Sequence, residues 1–508
     1  VWLALALALA GHGGAWAQEE GFPREEVQAV LAVALGTVLE RHLESPSPQE
    51  LALWSLRGLE VLEPALKPEL NASTLLLSAG DRVLGARPLP PLPPDAPREA
   101  SAGPTAFALA ALYEAAWRAS PALRQAGPER MLRSGFEELF NHLDPYSRYL
   151  TPDEARGARA RRVGQAGLGL RLAAGRRGGV VVAALLPGGP AARAGLHPGD
   201  RVLAIDGIAL ATLDLAAATA LLDGPAETEV VLRLQRGNRR VEATLLRSLV
   251  PPDSVLAERH DGVLWLRVLA FSAATDSQLA TALAAAFGSR APPPAGVVLD
   301  LRGNRGGLLG QAVSVAGAFL PGGVVARTGG RHPDSIRTYQ ALGPDLAEGA
   351  PLVVLVDGRT ASAAEIVAAA LADRGRAVVV GSASMGKGLI QAVVPLPNGG
   401  ELLVTWSRVL APLGWPLQGL GVLPAVCTSL GAEQTAQGLA ALHRGEAPMR
   451  SALARLRAAR APVPASEVAQ LRATCPPAEG RDADAETAKA LLASPESYAT
   501  ALGGRPRE

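Results

Sequence analysis

Lysine is nearly missing from this chain. Only three of its 49 basic residues are lysines, Lys67, Lys387 and Lys489, and the rest are arginine. With so much Ala, Gly and Pro around it, the skew reads as codon usage, but it excludes lysine-rich surfaces and makes each lysine a position to explain. Net charge is scarce too. The basic side chains face 48 acidic ones, leaving +1, and no polybasic tail stands out, so nucleic acid is excluded as a default partner. The seven histidines are scattered with no His-Glu-x-x-His pattern, and no metal or organic cofactor is expected. No apolar run reaches the roughly 20 residues that a membrane-crossing helix needs. Cysteine is limited to Cys427 and Cys475. In an exported protein they can close one disulfide, and otherwise they are two unrelated buried thiols; both readings stand at this point.

What is present begins with an apolar run over residues 1–10, then small residues and Ala15-Trp16-Ala17. Residues 1–17 read as a secretion signal cleaved near Ala17, although the charged stretch that usually opens such signals is missing. The expected mature protein is exported, periplasmic in a bacterium, and the alternative is a plain hydrophobic terminus. A length of 508 residues suits about three domains. Residues 24–150 carry helical spacing, as in Val27, Val30, Leu31, Ala34, Leu35 and Val38, interrupted by a proline-rich linker at 88–104. Residues 164–248 turn glycine- and β-rich. Over residues 255–425 strands at 263–268, 296–301, 352–356 and 377–380 alternate with helical segments, the pattern of an α/β core. The Ala/Arg-rich end, 428–508, promises one or two helices and a mobile terminus.

The chemistry concentrates late in the chain. The apolar strand Leu352-Val353-Val354-Leu355-Val356 runs into Asp357-Gly358-Arg359-Thr360-Ala361-Ser362, and a helix follows. Ser362 thus stands at a helix N-terminus, where backbone N–H groups and the helix dipole stabilise an oxyanion. A serine there also makes an ordinary cap. Lys387 follows 25 residues later within Gly381-Ser382-Ala383-Ser384-Met385-Gly386-Lys387-Gly388. Three patterns compete for it. A phosphate-binding loop matches at Gly381, Gly386 and Lys387 but has Gly388 where a magnesium-binding hydroxyl belongs. Ser384-Met385-Gly386-Lys387 satisfies Ser-x-x-Lys but lacks the companion tripeptides, and its glycines suit a helix poorly. The third pattern pairs Lys387, as general base, with Ser362. A lysine base must be neutral, with a pKa several units below about 10.4, which burial achieves and which arginine cannot match. No carboxylate stands within about ten residues of Lys387 to hold its proton.

Four stretches together resemble the carboxyl-terminal processing peptidases, or tail-specific proteases, which are Ser-Lys serine peptidases with a PDZ domain. They are Thr360-Ala361-Ser362-Ala363-Ala364-Glu365, Gly386-Lys387-Gly388-Leu389-Ile390-Gln391, Asp300-Leu301-Arg302-Gly303-Asn304-Arg305-Gly306-Gly307 and Asp144-Pro145-Tyr146-Ser147. Ala364 and Met385 depart from a frequent serine and a frequent aromatic. The resemblance implies an α/β (α+β) multidomain protein: a helical N-terminal region, a PDZ domain inserted before a ClpP/crotonase-like protease core, and a helical C-terminal tail. It implies Ser362 as nucleophile, Lys387 as base and Gln391 orienting the lysine. The oxyanion hole would use the N–H of Ala363 and one of Gly306 and Gly307, with Gly307 favoured. Glu365 and Arg302 are expected to be capping or ion-pair residues. Gly167, Leu168, Gly169 and Leu170 would take a peptide C-terminus in the PDZ module. Protein substrates with exposed C-termini, and a homo-oligomeric or adaptor partner, complete the expectation. A catalytically silent tail-binding adaptor is the alternative.

Overall fold

The computed structural model describes residues 21–89, 95–176, 178–186, 188–288 and 292–503. The expected secretion signal lies outside these residues. Two units divide the chain, the first comprising 1–153 with 391–405 and the second 154–390 with 406–508.

In the first unit, helices Arg24–Arg41, Pro48–Arg57, Ala102–Ala119 and Pro121–Asn141 bury Leu31, Leu35, Leu109, Leu112 and Phe136 in one core. The second of them starts cleanly because Ser47 and Glu50 cap each other's backbone N–H groups and Pro48 opens the first turn. Two expectations need correction. Helical spacing was expected to run through residue 87, but Leu66–Asn71, Thr74–Ala79 and Arg82–Pro88 form an antiparallel three-stranded sheet. Leu75 and Leu77 alternate inward from its central strand into the helical core. The proline-rich linker is also shorter than 88–104, since a 3-10 turn starts at Arg98 and leads into the helix at Ala102. Residues 90–94 within it lie outside the described residues.

The second unit opens with the PDZ-like module. Its sheet runs in the order Arg239–Leu246, Glu229–Arg236, Arg201–Ile205, Val180–Leu185, Leu170–Ala174, which leaves the last strand at an edge. Gln165–Gly167 pairs antiparallel with Ser248–Val250, so the module's entry and exit are stitched together.

The protease-like core is a six-stranded sheet whose strands follow chain order: β1 (Val255–His260), β2 (Val263–Val268), β3 (Gly296–Asp300), β4 (Leu352–Val356), β5 (Val378–Gly381) and β6 (Val426–Cys427). Only the β1–β2 pair is antiparallel. β3, β4 and β5 are buried along their whole length, hence their unbroken apolar sequences. Alternate side chains feed two cores. Val297, Leu299, Val354 and Val356 pack with the helix Ala363–Asp373, while Val298, Val353, Leu355 and Val380 face Leu442, Ala488 and Leu491 of the C-terminal region. That region is helical as expected, but its described residues hold five helices, from Ala432–His443 to Pro495–Leu502, and Leu442, Ala488 and Leu491 among them pack on one face of the sheet. Among the described residues, no helix is long and apolar enough to cross a membrane.

Candidate active site

Parallel strands deliver their loops to one edge, beyond the carboxyl ends of the strands. Here the loops after β3, β4 and β5 carry the Asp300, Ser362 and Lys387 motifs. Backbone bonds tie them together: Ala361 N–H donates to the Asn304 carbonyl at 2.9 Å, and Met385 N–H to the Thr360 carbonyl at 2.9 Å. Side chains add to this. Thr360 Oγ1 donates to the Leu301 carbonyl at 2.9 Å, and Asp357 Oδ1 accepts from the N–H groups of Gly303, Arg359 and Thr360.

Ser362 sits at the turn from β4 into the helix Ala363–Asp373 with φ 58° and ψ −118°. A non-glycine residue there costs about 1–3 kcal/mol and persists only where its surroundings enforce it. Glu365 supplies much of that enforcement. Its carboxylate is fully buried and accepts from Ser362 N–H at 2.7 Å, Gly386 N–H at 2.6 Å, Lys387 N–H at 2.9 Å and the Ser384 hydroxyl. Ser362 and Lys387 therefore hang their backbone nitrogens on one oxygen, Oε2. Burial pushes the Glu365 carboxyl up from the usual glutamate value, and those four donors oppose the shift. The capping role expected of Glu365 is present, but the cross-link to the lysine loop was not foreseen. Its position three residues after a cap serine signals only a local box. Arg302 is an ion-pair residue, bound to Asp300 and Asp484.

Of the three glycines in the Asp300 motif, Gly306 and Gly307 admit no side chain. A Cβ on Gly307 would lie 2.1 Å from the Phe271 carbonyl oxygen, and one on Gly306 would lie 2.9 Å from Ser362 Cβ. Their N–H groups differ. Gly306 N–H is spent on Asn304 Oδ1 at 2.8 Å, whereas among the described residues Gly307 N–H and Ala363 N–H have no hydrogen-bond partner. Gly307 is exposed and Ser362 and Lys387 are half-buried. Gly388 also admits no side chain, because a Cβ there would lie 2.1 Å from Gln418 N.

Gln391 begins the stretch of chain that belongs to the first unit. There its Nε2 donates to Thr405 Oγ1 at 3.2 Å, and Thr405 Oγ1 donates to Asp144 Oδ1 at 2.8 Å. Asp144 also binds buried His42 at 2.9 Å and the Tyr146 and Ser147 N–H groups. Burial would raise the Asp144 carboxyl, but these donors outweigh it and hold the group well below the usual aspartate range.

Residues 262–427 match the peptidase family S41 and residues 181–236 match the PDZ domain. A carboxy-terminal-processing protease of Bartonella bacilliformis is 33% identical over 59% of this chain and 69% of its own length. A carboxyl-terminal-processing protease of Synechocystis is 35% identical over 59% of this chain and 73% of its own. The chain belongs to this family. Chloroplastic carboxyl-terminal-processing peptidase 1 of Arabidopsis thaliana shares 34% identity over 59% of this chain and 63% of its own length.

As a member of the carboxyl-terminal-processing proteases, the chain is a peptidase with a PDZ domain before its catalytic domain. The competing patterns around Lys387 lose their structural context. A phosphate-binding loop needs a helix after its lysine, and here Leu389–Pro395 is a strand. Ser384 is fully buried between Glu365 and the Val422 N–H, with no helix around it. Cys427 and Cys475 are joined in a disulfide. Among the described residues no cluster of His, Cys, Asp and Glu is placed to hold a metal ion.

The module's Gly167, Leu168, Gly169 and Leu170 border a cavity of about 750 Å³, which Leu186, Thr219 and Leu222 also line. Leu168 and Gly169 are held by their carbonyls, which accept from Ala191 N–H and Leu186 N–H, and Gly169 has φ 66°.

Proposed function

We propose that this protein is an exported serine endopeptidase that captures protein C-termini in its PDZ groove and cleaves with a Ser362–Lys387 pair. One observation carries the reading: Ser362 and Lys387 share the buried Glu365 carboxylate, beside two uncommitted N–H groups. The neutral amine of Lys387 takes the Ser362 hydroxyl proton as Oγ attacks the scissile carbonyl carbon. The tetrahedral intermediate's oxyanion accepts from Ala363 N–H and Gly307 N–H, and Gly306, already bonded, takes no part. The protonated lysine then donates to the leaving amine, and water repeats the cycle on the acyl-enzyme.

For tail capture, the exposed edge of Leu170–Ala174 offers unpaired backbone groups to an extended peptide, and the turn at Gly167, Leu168 and Gly169 offers N–H groups to its carboxylate. The apolar wall of Leu168, Leu170 and Leu222 suits an apolar last residue. Export is supported by the signal-like first 17 residues and by a disulfide, which persists in oxidising compartments. The test is turnover of an unstructured protein by the Ser362→Ala variant. Loss of all turnover with the fold intact supports the reading; undiminished turnover in the variant ends it, and a parent protein that cleaves nothing leaves a tail-binding adaptor.

A further inference from the structure

The C-terminal region carries no sequence motif, yet residues 472–484 touch all three loops of the candidate site. At the first loop, Arg302 Nη1 donates to the Arg481 carbonyl at 2.8 Å and meets the Asp484 carboxylate at 3.2 Å. At the second, Gly358 N–H donates to the Ala478 carbonyl at 2.7 Å. Gly480 N–H donates to Asp357 Oδ2 at 3.0 Å, using the carboxylate whose other oxygen ties the first two loops together. At the third, Ser382 Oγ accepts from Ala478 N–H at 3.1 Å and donates to its carbonyl at 3.0 Å, and Ala383 N–H donates to the Cys475 carbonyl at 3.3 Å.

Residues 476–481 belong to no helix or strand. Backbone polar groups that would otherwise be paired in a ladder are spent on the catalytic loops instead. The fit is tight, since a Cβ on Gly358 would lie 3.1 Å from Pro477 Cβ. What anchors this irregular stretch is fully buried Cys475, bonded to Cys427 at the end of β6, 48 residues earlier.

We propose that residues 475–480, pinned by the Cys427–Cys475 disulfide, are a positioning element that sets the spacing of the Ser362 and Lys387 loops. Small displacements at a reacting pair are costly, because rate depends steeply on the approach of nucleophile, base and carbonyl. The element touches no substrate, so its loss lowers kcat and leaves KM in place. This inference rests on the Ser362–Lys387 reading.

The test is steady-state turnover of an unstructured protein by the full-length enzyme, with Tm measured alongside. Cys427→Ala/Cys475→Ala is expected to lower kcat at least tenfold well below its Tm, with KM within about twofold of the parent. Ser382→Ala removes only the hydroxyl that bridges to Ala478 and is expected to shift kcat in the same direction by a smaller factor. If the double cysteine variant fails to fold, Ser382→Ala decides alone. Full kcat at a reduced Tm would overturn the proposal and leave the disulfide a stabiliser only. The two readings fail separately: full turnover in Ser362→Ala removes the mechanism, whereas full kcat in the cysteine and Ser382 variants, with Ser362→Ala inactive, removes only the positioning role.

Discussion

The serine loop and the PDZ loop both hold a turn residue at positive φ, Ser362 and Gly169, but they are held in opposite ways. Around Ser362, a buried carboxylate, two forced glycines and bonds from three loops over-determine one conformation. Around Gly169, two backbone bonds and a positive φ suffice, and the groove is open with half-buried Leu170 at its edge. The charges differ in the same sense. Burial pushes Glu365 up in the first region, whereas elsewhere in the PDZ module Asp200 is held below the usual aspartate range, chiefly by the Arg236 guanidinium. Chemistry needs a fixed geometry, and capture of varied tails tolerates a looser one.

The sharpest way to break this comparison is Lys387→Arg. It puts a permanently protonated guanidinium where the mechanism needs a neutral amine, so kcat should fall by about 10³-fold or more. Glu365→Gln comes next. It keeps the shape but weakens every bond that ties Ser362 to Lys387, and kcat should fall on the order of 10²-fold, with a lower Tm by thermal melting. A smaller effect is expected from Gly169→Val, which forces a branched residue to φ 66°. It should raise KM for a tail-bearing protein about tenfold and leave kcat alone.

Acid sharpens the contrast between the regions. Glu365 is ionised only above its raised pKa, so activity is present above it and fails as pH falls through it, earlier than an ordinary glutamate would allow. The Asp200 pair behaves oppositely. With a depressed folded pKa, its stabilisation is full above the unfolded value near 3.9 and is lost only as pH falls through the lower folded one. Tail-peptide binding, measured by fluorescence anisotropy, should therefore outlast turnover on acidification. Simultaneous loss of both would contradict this.

The core was legible in the sequence because buried parallel strands leave unbroken apolar runs, as at Leu352–Val356, which ends where the sequence pattern ends it. The Ser362, Lys387 and Gly307 stretches were legible as motifs in order. The strands Leu66–Asn71 and Thr74–Ala79 were not, since six residues with two or three leucines satisfy helical and strand periods alike, and only packing of Leu75 and Leu77 decides. Nor was the role proposed for residues 475–480. Their hydrogen-bond partners in the Ser362 and Lys387 loops lie about 90 to 125 residues away along the chain and are reached through main-chain groups of the stretch, which any residue type supplies.

The most direct measurement is mass spectrometry of the protein after treatment with a serine-reactive phosphonofluoridate. The account predicts one adduct, on Ser362, formed in the parent and strongly slowed in Lys387→Arg. An adduct on Ser384, or labelling of Ser362 at the same rate in both proteins, would contradict it.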